Sequence, residues 1–148
     1  MSTADNSKPE AGQRAERFRR VRDAHQTEMA EDYVELIADL IEHKGEARLV
    51  DLAEQLGVTK ATVNNTIQRL QRDGFVTSQP YRSIFLTSKG RKVAAASRAR
   101  HSLVRDFLIA LGVDAETADG DAEGIEHHVS DATLEAFRGY LEKTRQPR

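Results

Sequence analysis

The stretch LGVTKATVNNTIQRLQRDG, residues 56–74, decides the reading of the fold. Val63, Ile67 and Leu70 recur at the helical interval and mark one buried stripe. Thr59 stands just before them, where a side-chain oxygen can cap the first free backbone N–H groups. Gly74 ends the run, and Gly57 ends a shorter helix before it, LVDLAEQL, whose Leu49, Leu52, Ala53 and Leu56 face inward. Two helices separated by a Gly-Val break form a helix-turn-helix pattern.

Outward from this pair the chain continues the same theme. EMAEDYVELIADLIEHKG, residues 28–45, carries Tyr33, Val34, Ile37, Leu40 and Ile41 at helical spacing and stops at Gly45. FVTSQPYRSIFLT, residues 75–87, holds two short β-rich runs around Pro80 to Ser83, which predicts a hairpin or wing. Thr87 or Ser88 caps a long helix that is small and basic early, then apolar through Leu103, Phe107, Leu108 and Leu111, and Gly112 closes it. A further helix starts near Asp114, and Ser130 caps a last one with Leu134, Phe137 and Leu141 on one face. The expected fold is mainly α with a small β-wing. A flexible basic extension covers residues 1–27, a winged helix-turn-helix residues 28–90, and a helical domain residues 91–148. The extension includes the arginine-rich RAERFRRVRDAH, residues 14–25, read as a helix, a DNA-tracking arm or a mobile tail.

Charge divides the chain more sharply than its net value of −2 suggests. From Gly57 to Arg105 there are ten Lys or Arg against one acid, Asp73; from Asp106 onward there are ten acids against four basic residues. A basic middle suits a polyanion, because each neutralised phosphate releases counterions. The second helix of the pair presents Lys60, Ala61, Thr62, Asn64, Asn65 and Arg69 away from its buried stripe, with Thr59 at its start. In a winged helix that element enters the major groove. There Asn pairs with adenine, and Ala or a Thr methyl packs on thymine. Lys60, Arg69 and the wing's Arg82 are the expected phosphate contacts. With 39% apolar and 31% charged residues and a mean hydropathy of −0.60, the chain reads as a soluble, helix-rich protein. It has no apolar stretch of membrane-spanning length and no signal core. The absence of cysteine excludes disulfides and thiolate ligands, and a cytoplasmic location is expected.

DAEGIEHHVS, residues 121–130, then draws attention. On a helix Glu123, Glu126 and His127 share a face while His128 points about 100° away. Asp32 and Glu35 stand together on the first core helix, and His101 sits where the long helix turns from small to large residues. For each group taken alone the simpler reading is the stronger: acidic residues are usually solvated, and a lone helical histidine is more often a surface or core residue. The segment nevertheless combines mutually repelling carboxylates with an internal glycine costing about 1 kcal/mol, and a cation removes the repulsion.

The order EDYVELI, ATVNNTIQRLQRDGFV, FLTSKGRK, RARHSLVRDFL, LGVD and DAEGIEHHVS resembles the manganese-responsive (MntR) branch of the diphtheria-toxin-repressor family, over roughly Glu28 to Leu141. The resemblance implies a homodimer of winged-helix domains on a helical dimerisation domain. It places the metal ligands on Asp32, Glu35, His101, Glu123, Glu126 and His127, at the junction of the two domains. Carboxylates and imidazoles without thiolate suit Mn²⁺, with Fe²⁺ as the alternative. Four carboxylate charges match two divalent ions per chain. The implied function is metal-dependent binding of a DNA operator, most simply repression of manganese uptake genes, with no catalysis, no small-molecule substrate and no membrane partner. The competing readings are a di-metal carboxylate helical-bundle enzyme and a winged-helix repressor without metal input.

Overall fold

The computed structural model describes residues 10–79 and 83–145. It contains α1 (Ala11–Lys44), α2 (Leu49–Leu56), α3 (Lys60–Arg72), β1 (Val76–Thr77), β2 (Phe85–Leu86), α4 (Ser88–Ala110), α5 (Ala115–Ile125) and α6 (Asp131–Arg145). The strands pair antiparallel with Val76 opposite Leu86 and Thr77 opposite Phe85, and Ala47 bridges Ile84 to add a third short rung. Arg82, expected in the wing, lies outside the described residues.

Local chemistry explains where each helix begins. Thr59 Oγ1 accepts from the Thr62 backbone N–H at 3.1 Å, Thr87 from Gly90 at 3.1 Å, Asp114 from Thr117 at 3.0 Å and Ser130 from Thr133 at 3.2 Å. Gly57 ends α2 at φ 68°, in the left-handed region that lets the chain turn directly into α3. Gly90 serves a different need: a Cβ there would lie 2.1 Å from the Phe75 carbonyl oxygen, so only glycine lets α4 press against the wing.

Two apolar cores result, and α4 joins them. Val34, Ile37, Leu52, Val63, Ile67, Leu70, Val76 and Ile84 pack together, with Ala94 of α4 on their edge. Val104, nearly three turns further along α4, packs with Ala122 and Leu134 in the second core. Phe107 stacks on Phe137 at 3.9 Å between ring centroids. The junction between the cores therefore falls inside one continuous helix.

Two elements differ from the sequence reading. The first helix does not start at Glu28: it runs unbroken from Ala11, so the described part of the extension is helical. Nothing between Ala11 and Glu28 is a proline or a positive-φ glycine, and α1 has no reason to break there. In the other difference, α5 ends at Ile125, so Glu126 and His127 stand on the turn that follows rather than on the helix with Glu123. The His128 N–H bonds back to the Ile125 carbonyl at 3.1 Å, a three-residue closure that prepares the chain for the Ser130 cap.

Candidate metal centre and DNA-reading surface

At the junction of the cores, α1, α4, the end of α5 and the turn after it bring six acidic and imidazole side chains together around Glu126. Its carboxylate is 1% exposed, and neither oxygen has a hydrogen-bond partner. Oε1 lies 3.4 Å from His127 Nε2 and Oε2 lies 3.8 Å from His101 Nδ1, without hydrogen-bond geometry. Around this centre are two groups whose ligand atoms lie within 4.8 Å of one another: Glu28, Asp32 and His127, and His101, Glu123 and Glu126. Asp32 Oδ1 is 2.9 Å from His127 Nε2, and Glu123 Oε1 is 3.6 Å from His101 Nδ1. Glu35 is held from α4 by Ser97, whose buried hydroxyl donates to it at 2.9 Å.

The electrostatics of this cluster follow from crowding. Burial, then the charge of Glu35, pushes the Glu126 carboxyl up to about 7, against the opposing pull of His127 and His101. Burial also raises Asp32, with Glu28 and Glu123 adding to it and His127 opposing. For His127, burial works against the charged ring. The hydrogen bond to Glu31 and the nearby carboxylates outweigh it, and the pKa is raised. His101 behaves alike, with Asp119, Glu123 and Glu126 overcoming its burial. Without a cation, protons do the work of neutralising the cluster. A buried carboxylate with both oxygens unpaired, between two imidazole nitrogens, is a donor set that a divalent cation would satisfy. The observed residues therefore fit a metal.

Several residues at this site escaped the sequence reading. Glu31 Oε2 accepts from His127 Nδ1 at 2.7 Å and is ion-paired to Arg100 at 2.7 Å, so α1 and α4 together hold the imidazole with Nε2 toward Asp32 and Glu126. This is the arrangement by which an outer carboxylate fixes the tautomer and direction of a ligating histidine. Asp119 contacts His101 Nε2 at 2.7 Å in the same manner. Glu28 could have been found, because it stands one turn before Asp32 on the same face. Ser97, Arg100 and Asp119 carry no such local signal, since their partners are distant in sequence. His128, set aside at the sequence level, is half exposed and reaches Glu28 at 3.2 Å on the rim.

On the other side of the winged helix, Lys60, Ala61, Thr62, Asn64 and Asn65 are exposed along α3, and Arg69 is partly buried. Thr59 is exposed too, although its hydroxyl is engaged with Thr62 in capping. The exposed amides of Asn64 and Asn65 lie opposite the face formed by Val63, Ile67 and Leu70, which anchors α3 to the core.

Comparison with known proteins agrees with this division of labour. The family described as "Iron dependent repressor, N-terminal DNA binding domain" matches residues 25–84, and "Iron dependent repressor, metal binding and dimerisation domain" matches residues 87–147. The transcriptional regulator MntR of Escherichia coli O6:H1 is 52% identical over 128 residues, covering 86% of this chain and 83% of the relative. The HTH-type transcriptional regulator MntR of Bacillus subtilis is 45% identical over 104 residues, covering 70% of this chain and 73% of the relative. A solved structure of a manganese-dependent transcriptional repressor in complex with manganese superposes with a TM-score of 0.69 at 31% identity. It aligns with 76% of this chain, which spans about half of that longer protein, 52%.

Proposed function

The chain belongs to the MntR group of iron-dependent-repressor-type regulators, and we propose that Asp32, Glu35, His101, Glu123, Glu126 and His127 form the site through which it senses Mn²⁺. The protein is a metal-dependent, DNA-binding transcriptional repressor. The observation that carries the ligand assignment is Glu126, buried with two unpaired oxygens between His101 and His127. Both rival readings leave that carboxylate unexplained or misplaced. A metal-independent repressor has no use for it. A bundle enzyme needs its ligands on four long helices, whereas here one of the three contributing elements belongs to the winged helix.

Bound Mn²⁺ supplies positive charge and coordination bonds in place of the protons that the cluster otherwise holds. The chain's residues do the remainder. Asp32 and Glu35 lie on α1, whose Val34 and Ile37 are part of the winged-helix core. Glu123, Glu126 and His127 lie on or after α5, whose Ala122 is part of the second core. Joining the two sets fixes the winged helix against the dimerisation domain. In a homodimer it thereby fixes the separation of the two α3 helices presented to successive major grooves. Like-charge repulsion among the carboxylates loosens the same joint. Ligand binding and DNA binding are then linked by one coupling free energy.

The finer assignments follow from the donor chemistry. Four carboxylates and two imidazoles favour two ions per chain, and an oxygen-rich set favours Mn²⁺, with Fe²⁺ the nearest competitor. Thr59, Lys60, Ala61, Thr62, Asn64, Asn65, Arg69 and Arg82 are the proposed DNA contacts, manganese uptake genes the proposed targets, and the cytoplasm the proposed location. The test is Glu123→Ala, because Glu123 is exposed and its loss leaves both cores intact. The variant remains a folded dimer, and Mn²⁺ no longer promotes operator binding. A normal Mn²⁺ response would refute the ligand set.

A further inference from the structure

The helical extension ahead of the metal site has a segregated surface. Every residue from Ala11 to Asp23 is exposed, and Ala11–Thr27 projects about 25 Å beyond Glu28 at 1.5 Å per residue. At 100° per residue, Arg14, Arg17, Phe18, Val21, Arg22 and His25 fall within an arc of about 140°. The opposite side carries Glu16 and Asp23, with Arg19 and Arg20 paired to Glu16 at 3.0 and 3.9 Å. Arg14, Arg17 and Arg22 have no ion pair among the described residues, and between them Phe18 is 61% and Val21 53% exposed. The arc is continuous with that of Glu28, Asp32 and Glu35, the side of α1 that meets the α5–α6 connection.

Beside that connection lies a groove of about 420 Å³ lined by Asp121, Gly124, Ile125, His128 and Val129. Its lining is mostly apolar and includes Asp121, from the acidic third of the chain. The groove abuts Glu28 of its own α1 through His128. The chain's own Phe18 is ten residues up a continuous helix, about 15 Å from that point along the axis. The extension therefore cannot fold back into the groove of its own subunit.

We propose that the Phe18–Val21 face of one subunit docks in the Asp121–Ile125–Val129 groove of a second copy of this chain. Phe18 and Val21 lose water against Ile125 and Val129, and the arginines of the face meet the partner's acidic α5–α6 surface. Two-fold symmetry makes the exchange reciprocal, so each subunit both gives and receives a helix. The proposal rests on the homodimer of this family. DNA would answer the arginines equally well, but it offers nothing to two large apolar side chains on the same face.

The chain has no cysteine and Phe18 is exposed, so position 18 can be replaced without disturbing the core. Full-length protein carrying the photoreactive p-benzoylphenylalanine at position 18 is mixed with uniformly ¹⁵N-labelled copies, and dimer formation is verified by ultracentrifugation before irradiation. The expected product joins position 18 of one isotopic form to a peptide within residues 114–131 of the other. Phe18→Glu and Asp121→Lys each weaken the dimer tenfold or more, with helix content and the salt dependence of DNA binding unchanged. Cross-links within one chain, cross-links to operator DNA, or an uncross-linked dimer would overturn the proposal. So would a Phe18→Glu variant that dimerises normally while its DNA-binding salt slope falls. A wild-type protein that sediments as a monomer would remove the dimer itself, a failure distinct from a dimer with the helix elsewhere.

Discussion

Replacing Glu126 with Gln should stabilise the metal-free protein, and the gain should depend on pH. The amide is nearly isosteric with the protonated carboxyl and equally neutral, so packing against His101 and His127 is retained. Wild-type Glu126 titrates at about 7 in the folded chain instead of the ordinary 4.5. A raised carboxyl contributes stability that is present below the unfolded pKa and is lost as pH rises through the folded one. From pH 4.5 to 7 the unfolded chain ionises while the folded chain holds its proton, and wild type loses about 1.4 kcal/mol per pH unit relative to the variant. Above pH 7 both states are ionised and the gap stays constant at about 3 kcal/mol, the net cost of ionising Glu126 in a buried site beside Glu35. With roughly 2–4 °C per kcal/mol for a chain of this size, Glu126→Gln should melt about 6–12 °C above wild type at pH 9. The assay is circular-dichroism melting in chelator at fixed protein concentration, from pH 4.5 to 9. With saturating Mn²⁺ the order reverses, because only wild type gains binding energy from the ion. A gap that does not widen with pH, or a variant less stable than wild type at pH 9 without metal, would refute the reasoning.

Two further substitutions separate the parts of the molecule. Glu31→Ala frees His127 Nδ1 from its acceptor and leaves Arg100 unpaired; Mn²⁺ affinity measured by equilibrium dialysis should fall about 10–100-fold, with the metal-free fold intact by circular dichroism. Asn65→Ala removes an exposed amide of α3 and should cost about 1–3 kcal/mol of discrimination between operator and mismatched DNA, read by fluorescence anisotropy, while Mn²⁺ affinity stays as in wild type.

The parts that could be read in advance are those whose physics is local. Thr59, Thr87, Asp114 and Ser130 cap helices through their immediate neighbours, and the Val63–Ile67–Leu70 stripe announces the buried side of α3 by its spacing alone. The cluster proposed to hold the metal was half legible for the same reason: Asp32 with Glu35, and Glu123 with Glu126, are close in sequence and share a side of the chain. Joining those pairs required the family resemblance, since no spacing relates α1 to the turn after α5. The outer residues were illegible because their chemistry exists only across the fold. Ser97 reaches Glu35 and Arg100 reaches Glu31 from another helix, and an isolated serine or arginine on α4 announces nothing. The unbroken course of α1 was missed for a different reason. Its first half buries almost nothing, so the apolar periodicity that signals a packed helix is absent there, and only its exposed Phe18 and Val21 hint at a surface awaiting a partner.

The central claim is that metal and DNA are linked through the joint formed by α1, α4 and the α5–α6 turn. Linkage requires the factor by which Mn²⁺ tightens operator binding to equal the factor by which operator tightens Mn²⁺ binding. Measuring Mn²⁺ affinity by electron paramagnetic resonance with and without operator, beside operator affinity with and without Mn²⁺, tests this directly. The two factors should agree at about 5–150-fold in wild type and both fall to one in Glu123→Ala. An Mn²⁺ affinity that is the same with and without operator would contradict the account.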